Sequence, residues 1–160
     1  YQPGEIVDGV EMLALDELFS RCDVVSLHTP LTPATRHMIG ERELRLMRPG
    51  AYLINTSRGA VVDEDALVKA LHNGWIAGAA VDVYEGVDVF FGEERAPEHP
   101  LFSAPNVIFT PHVAANSVEG AAIVREKAAR HVVQALSGRW PDNVINPGVL
   151  PRAGAHVADA

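Results

Sequence analysis

Three residues with chemically capable side chains each follow a short apolar run in this sequence. Arg58 follows the run AYLI after three intervening residues, and Asp82 directly follows the run IAGAAV. His112 follows the run NVIF after two intervening residues. A guanidinium is always charged, and its planar fork of donors can hold a carboxylate at two points and polarise a neighbouring carbonyl. An imidazole with an ordinary pKa of about 6.5 can give or take a proton at neutral pH. Together these groups could bind a small acid and move a proton.

The apolar runs predict the elements that must position these side chains. Together with a fourth run, DVVSL, which leads into His28, they have the length and composition of strands in a parallel sheet buried on both faces. Right-handed crossovers bring the carboxyl ends of such strands to one edge, where these folds bind their ligands. We therefore expect Arg58, Asp82 and His112 to converge beside a crevice of cofactor size.

Each of the three residues also has a structural interpretation. Arg58 could pair with Asp63 or Glu64 at the start of the next helix. A buried Asp82 carboxylate needs a donor, which could be a carboxamide or ribose hydroxyl of a nucleotide, or a backbone N–H at the start of a loop. A lone histidine at a strand end is more often a packed or exposed residue, and His112 gains a chemical role only if it faces the arginine.

The remaining pattern fills in the elements between the strands. Apolar periodicity and end signals predict helices over 13–22, 41–47, 63–72 and 117–137, and Thr32 is placed to cap a further short helix. The strands are predicted over 23–28, 51–56, 76–82 and 106–111. A long irregular segment over about 84–105 is of the kind that is usually functional or disordered.

Composition excludes several classes of function. The chain has 160 residues, 48% of them hydrophobic, which is ample for one buried core. A net charge of −8 without clusters of Lys and Arg argues against nucleic-acid binding. No apolar stretch approaches the ~18–20 residues of a membrane span. No histidine spacing suggests a metal site, and a single cysteine is compatible with a reducing cytoplasm.

The absence of one motif shapes the expected domain organisation. A complete dinucleotide-binding fold opens with a strand, G-x-G-x-x-G and a helix, and none of the 13 glycines has that spacing. We therefore interpret the chain as N-terminally incomplete. Residues 1–116 are expected to form the C-terminal part of a Rossmann-type, doubly wound α/β domain, without its first βα units. Residues 117–160 are expected to form a long helix and tail that return towards a substrate domain.

Several motifs resemble those of the D-isomer-specific 2-hydroxyacid dehydrogenases, which include phosphoglycerate, D-lactate and glyoxylate/hydroxypyruvate dehydrogenases. The segments that carry the resemblance are SLHTPLTPAT, LMRPGAYLINTSRG, VDE and TPH, which occur in the family's order, and the resemblance covers about residues 13–147. The family is built from an NAD-binding domain that faces a smaller substrate domain. The resemblance therefore implies NAD as cofactor and a small 2-hydroxy or 2-oxo acid as substrate.

The resemblance also implies roles for individual residues. Arg58, in NTSRG, would orient the carboxylate and carbonyl of the substrate. His112, in TPH, would be the acid/base that protonates the carbonyl oxygen, and Asp82 would hold the nicotinamide end of the cofactor. The family's cofactor contacts fall on the turn after the first strand and on the other strand ends, namely Thr29, Pro30, Thr56, Ser57, Arg58, Asp82, His112 and Ala114.

The sequence departs from the family at one position of mechanistic weight. The family places a glutamate five residues after the aspartate, where it bonds the histidine and keeps it protonated, and this chain has Val87 there. A histidine without a carboxylate partner has a lower pKa, so that less of it is protonated and able to donate a proton near pH 7. Glu85 could substitute after a two-residue shift of the loop, and Glu93 or Glu94 are alternatives. Glu85 is the predicted partner.

The sequence thus predicts an NAD-dependent D-2-hydroxyacid dehydrogenase of the cytoplasm, dimeric in its full-length form. Two alternatives remain open. Val87 could mark a protein that senses NAD(H) without catalysis, like the corepressor branch of the family. The 160-residue chain could also be an inactive fragment, and we expect the isolated chain to lack activity. The identity of the hydroxy acid and the choice between NAD and NADP are not determined, since they depend on residues outside this sequence.

Overall fold

The computed structural model describes residues 2–86 and 99–146 of the chain. It divides into two compact units, Tyr1–Ala114 and Ala115–Ala160. The first unit contains the sheet and all of the predicted site residues.

The first unit is built around a four-stranded, all-parallel sheet. Its strands lie in the order in which they occur along the chain, so that each strand pairs with the next one. The register aligns Leu27 with Asn55 and Asn55 with Val81, which places neighbouring carboxyl ends at one edge. The strands are β3 (Val24–Leu27), β4 (Tyr52–Asn55), β5 (Gly78–Val81) and β6 (Val107–Phe109).

One face of this sheet packs against a layer of helices. The layer consists of α1 (Leu15–Arg21), α2 (Glu41–Leu46) and α3 (Glu64–His72), followed by a single 3₁₀ turn, Pro100–Ser103. These segments contribute Phe19, Leu44, Leu67 and Leu101, each at most 1% exposed, to a core shared with alternate residues of the strands. Removing such large apolar side chains from water supplies most of the driving force for the fold.

The opposite face of the sheet is exposed, which corrects one prediction. The apolar runs predicted strands buried on both faces, but Val24, Tyr52 and Ile108 remain 54%, 50% and 68% exposed. All three belong to the strand residues that alternate with the buried ones. Within the described residues of the first unit, no helix covers these side chains, so this unit has two layers.

Most predicted elements occur within a few residues of their expected bounds. No element was predicted before residue 13, but a hairpin of β1 (Ile6–Val7) and β2 (Val10–Glu11) turns at Asp8 and Gly9, both with positive φ. The short helix expected after Thr32 is a hydrogen-bonded turn, in which Thr35 N–H donates to the Thr32 carbonyl over 3.1 Å. A 3₁₀ turn, Gly59–Val61, was not predicted.

The second unit contains the predicted long helix, α4 (Val118–Leu136). Ser117 caps it by accepting a hydrogen bond from Gly120 N–H over 2.8 Å. None of its 19 residues is buried, and its apolar side chains include Val118 and Leu136, both 85% exposed. Within the described residues, no helix combines the length and apolar content needed to cross a membrane.

Candidate active site

Arg58 lies in a turn that the side chain of Asn55 holds together. Asn55, the last residue of β4, is 2% exposed. Its Nδ2 donates to the Arg58 carbonyl over 3.0 Å, and its Oδ1 accepts from both the N–H and the hydroxyl of Ser57, at 3.0 and 2.9 Å. The chain therefore leaves the strand along a fixed path, and the sequence pattern did not assign this role to Asn55.

The Arg58 side chain lines a cleft at the carboxyl end of the sheet. Its Nη1 donates to the Ser57 carbonyl over 2.6 Å, and within residues 2–86 and 99–146 it forms no ion pair with Asp63 or Glu64. The alternative role considered for Arg58, a structural ion pair with Asp63 or Glu64, is therefore wrong. The cleft has a volume of about 500 Å³, and its walls are His28, Thr29, Pro30, Leu31, Thr56, Ser57 and Arg58.

Thr29 brings an unpaired polar atom to this cleft. Its Oγ1 is buried and has no hydrogen-bond partner in the part of the chain that the structure describes. Buried hydroxyls are nearly always paired, so an unpaired one at a cleft wall is suited to a hydrogen bond with a ligand. Ser57 differs, because the turn already uses its two donors and leaves only the lone pairs of its hydroxyl.

Asp82 organises the turn that carries His112. Its carboxylate accepts from the Thr110 hydroxyl at 2.5 Å, from Val113 N–H at 2.9 Å and from Ala114 N–H at 3.0 Å. The Asp82 carbonyl accepts from His112 N–H over 2.9 Å. Of the donors considered from the sequence, the structure thus supplies backbone N–H groups at the start of a loop. The carboxylate also has lone pairs that these three bonds do not use.

The environment of Asp82 keeps its carboxylate ionised. Burial alone would raise the pKa of Asp82, but the hydrogen bonds from Thr110, Ala114 and Val113 and the proximity of His112 outweigh it, and the pKa lies below its ordinary value. His112 itself has φ of 55°, a left-handed conformation that is uncommon outside glycine. The Asp82 bonds on both sides of it hold this conformation, as is found for strained residues at functional sites.

Glu85 lies beside two basic side chains. Its Oε1 pairs with Arg36 Nη2, and its Oε2 contacts His37 Nε2 at 2.6 Å. The hydrogen bond from His37 is the largest influence on this carboxyl, and with the Arg36 charge it holds the pKa of Glu85 below its usual range. Its predicted partnership with His112 stays a prediction. Val87, Glu93 and Glu94 lie outside the described residues.

The structure therefore arranges the predicted residues in three groups. Arg58 lines the cleft after β4 together with Thr29, Pro30, Thr56 and Ser57. Asp82, His112 and Ala114 form a hydrogen-bonded turn after β5 and β6, and Glu85 pairs with Arg36 and His37. Because β4, β5 and β6 are adjacent and parallel, Arg58, Asp82 and His112 share one edge of one sheet. Among the described residues, no group of His, Cys, Asp and Glu could hold a metal ion.

Residues 2–114, about the whole of the first unit, match the family described as "D-isomer specific 2-hydroxyacid dehydrogenase, NAD binding domain". The chain belongs to this family. The match confirms the resemblance and the Rossmann-type fold class, and the family's NAD-binding domain supports NAD as the cofactor.

Individual dehydrogenases of the family are similar over most of this chain. A glyoxylate reductase of Thermofilum pendens is 46% identical over 145 residues, which are 91% of this chain and 41% of that protein. A D-3-phosphoglycerate dehydrogenase of Methanocaldococcus jannaschii is 38% identical over 155 residues, 95% of this chain and 28% of that protein. The chain therefore spans less than half the length of these relatives.

A solved structure of the family is similar in fold. It is the NAD-complexed D-isomer specific 2-hydroxyacid dehydrogenase of Lactobacillus delbrueckii ssp. bulgaricus, which is 37% identical with a TM-score of 0.74. The alignment covers 82% of this chain and 42% of that one.

Proposed function

We propose that this chain is the cofactor-side part of an NAD(H)-dependent oxidoreductase that interconverts a small 2-hydroxy acid and its 2-oxo acid. The observation that carries the proposal is the placement of Arg58 and His112 after β4 and β6, on either side of β5, which Asp82 follows. Membership of the dehydrogenase family supports the same reaction. The names of similar proteins favour glyoxylate as the first substrate to assay.

Arg58 supplies the anchor for the acid. A guanidinium has five N–H donors, and the Nη1 bond to Ser57 occupies one of them. The other donors can hold both oxygens of the substrate carboxylate and approach the adjacent carbonyl oxygen, which polarises the carbonyl group. Because Asn55 fixes the backbone of this turn, the anchor is positioned before the substrate binds.

His112 supplies the proton. In the reductive direction the protonated imidazole gives its proton to the carbonyl oxygen, which becomes the hydroxyl, and the neutral imidazole takes that proton back in the oxidative direction. When bound, NAD(H) supplies or accepts the hydride at the carbon atom. The ionised Asp82 fixes the turn on both sides of His112 through its hydrogen bonds with Thr110, His112 and Val113.

The residues present fit a nicotinamide cofactor at the cleft. The unpaired Thr29 hydroxyl can bond a polar group of the cofactor, and Pro30, Thr56 and Ser57 belong to the same cleft wall. Asp82 and Ala114, on the neighbouring strand ends, are the proposed contacts for its nicotinamide end. We propose NAD rather than NADP only on the description of the family's domain.

The test is His112→Ala in the full-length gene product, with glyoxylate, hydroxypyruvate and pyruvate as substrates and NADH as reductant. Loss of a general acid should lower kcat by about 10²–10⁴-fold and change the NADH dissociation constant little. His72→Ala is the matched control, because His72 is an exposed residue at the end of α3, away from the cleft. Undiminished turnover in His112→Ala would contradict the proposed role.

A non-catalytic NAD(H)-sensing protein is the second candidate. It is motivated by Val87 at the position where the family has its glutamate. In that case the full-length protein would bind NADH and reduce none of the three oxo acids. Turnover of any of them would exclude this candidate.

Assembly and location complete the proposal. We propose that the full-length protein is a homodimer in the cytoplasm, since members of the family are commonly dimers. Sedimentation velocity of the full-length protein tests the assembly. A monomer at micromolar concentration would contradict it.

A further inference from the structure

Glu64, the first residue of α3, joins two segments that lie far apart in the sequence. Its Oε1 accepts from the backbone N–H of Glu85 over 2.9 Å, and its Oε2 lies 2.7 Å from Nε2 of His99. The Glu64 and His99 side chains are only 9% and 13% exposed. Neither residue has a part in the proposed reaction, and a buried carboxylate with two specific partners calls for an explanation.

The hydrogen bonds of His99 show which of its two ring nitrogens donates and which accepts. Nδ1 accepts from the backbone N–H of Leu101 over 3.3 Å, which caps the 3₁₀ turn. Nε2 must therefore carry the hydrogen that His99 donates to Glu64. This arrangement of donor and acceptor satisfies both neighbours, so the contact between Glu64 and His99 is directional.

The segment that Glu64 holds lies directly on the Arg58 turn. Gly59 packs so closely against it that a Cβ atom at this position would lie 2.1 Å from the carbonyl carbon of Tyr84 and 2.3 Å from the backbone N of Glu85. The backbone from Tyr84 to Glu85 is thus pressed against the residue that follows Arg58. The Glu64 bond to Glu85 N–H keeps it there.

We propose that Glu64, together with His99, is a positioning residue for Arg58. The pair links the 3₁₀ turn at Leu101 to α3 and holds the segment around Glu85 against the Arg58 turn, and so sets the position of the guanidinium relative to Asp82 and His112. This inference rests on the proposed function, because it assigns to Arg58 the binding of the oxo acid. It extends that function to two residues outside the cleft.

The test uses three variants of the full-length enzyme. Glu64→Gln places an amide N–H₂ against one of two donors, so that one of the two bonds is lost. His99→Asn keeps a side-chain acceptor for Leu101 N–H but ends short of Glu64. Asp65→Asn is the control, because it removes the same charge from the next residue, which is exposed.

We expect Glu64→Gln and His99→Asn each to raise the KM for glyoxylate about tenfold or more. The KM for NADH should stay within about twofold, since the cleft wall is unchanged. Rates are divided by the concentration of sites that bind NADH, which removes the effect of any unfolded fraction. Asp65→Asn should behave like the wild type in both constants.

The two failures are distinguishable. An unchanged KM for glyoxylate in both variants, even with a lower Tm, would show that Glu64 is only structural and would overturn the inference. His99→Asn tests the same contact if Glu64→Gln does not fold. Loss of turnover in His112→Ala alongside wild-type constants in Glu64→Gln overturns only this inference. A wild-type enzyme without turnover overturns both.

Discussion

At the scale of the residue, the chemistry depends on side chains that hold other side chains. Asn55 shapes the Arg58 turn and Asp82 shapes the His112 turn, and each of these two residues is at most 3% exposed. The sequence motifs predicted Asp82 as a cofactor ligand. The structure adds that its carboxylate already binds the turn on either side of the proposed acid, and so makes the two interpretations of Asp82 compatible.

The fold should depend on the Asp82 carboxylate in a pH-dependent way. In Asp82→Asn an amide N–H₂ replaces an oxygen that accepts a backbone N–H, which should destabilise the protein by roughly 2–3 kcal/mol at pH 7. The folded-state pKa lies below the unfolded value of about 3.9, so the contribution of Asp82 is complete above about pH 4 and is lost as the pH falls through the folded-state pKa.

Urea unfolding as a function of pH checks this prediction. The difference in stability between the wild type and Asp82→Asn should be constant near neutrality and shrink below about pH 4. Asp23→Asn is the matched control, since its side chain is 81% exposed and pairs with Arg48 at the surface. A difference that grows on acidification would mean that Asp82 is not a stabilising anion.

At the scale of the element, the site depends on strand ends and on the close approach of two turns. Adjacent parallel strands lie ≈ 4.8 Å apart, so the ends of β4 and β6 are about 10 Å from each other, with β5 between them. That spacing admits a small acid between Arg58 and His112. The contact of Gly59 with the backbone of Tyr84 and Glu85 then fixes the Arg58 turn against the segment that follows β5.

Gly59→Ala should disrupt this contact. The added Cβ would meet backbone atoms of Tyr84 and Glu85, at 2.1 to 2.5 Å, and backbone cannot move aside as a flexible side chain can. We expect a loss of about 3 kcal/mol in the free energy of unfolding. Gly50→Ala is the control, because nothing lies within 4 Å of a Cβ at Gly50 and its φ is not positive. Equal urea midpoints for the two variants would contradict the prediction.

At the scale of the whole molecule, the helices of the first unit cover only one face of its sheet. Val24, Tyr52 and Ile108 are exposed on the other face, and β3 ends the sheet on one side. The glyoxylate reductase of Thermofilum pendens is more than twice as long as this chain. The 160 residues contain the strand ends that bear Arg58, Asp82 and His112 but no glycine-rich turn of dinucleotide-binding spacing.

The isolated chain should therefore bind NADH weakly. Backbone N–H groups of a glycine-rich turn at a helix N-terminus normally hold the cofactor's pyrophosphate, and without them the cleft wall offers only a few contacts. Fluorescence titration of NADH against the 160-residue chain should show no saturation at micromolar concentration, whereas the full-length protein should saturate. Micromolar binding by the isolated chain would contradict this expectation.

The sequence by itself determined which chemically capable residues follow the strands and that these residues lie at one edge of the sheet. Unbroken apolar runs, followed by Arg58, Asp82 and His112, predicted a parallel sheet with these residues at one edge, because parallel pairing leaves few alternatives. The α3 and α4 helices were also predictable, since their periodicity and their caps Asp63 and Ser117 are local signals. The hairpin at Asp8 was missed, because its two strands are too short to show a pattern.

Only the tertiary structure decided which groups these side chains contact. Glu64 and His99 are 35 residues apart in the sequence, and Glu85 contacts Arg36 and His37, which precede it by nearly 50 residues. The short motifs VDE, which ends at Glu64, and HPL, which begins at His99, do not indicate these contacts. The prediction that both faces of the sheet are buried was wrong, since an apolar strand residue looks the same whether or not a neighbour covers it. Local signals come from the chain's own covalent neighbours, whereas such contacts arise from the packing of segments distant in sequence.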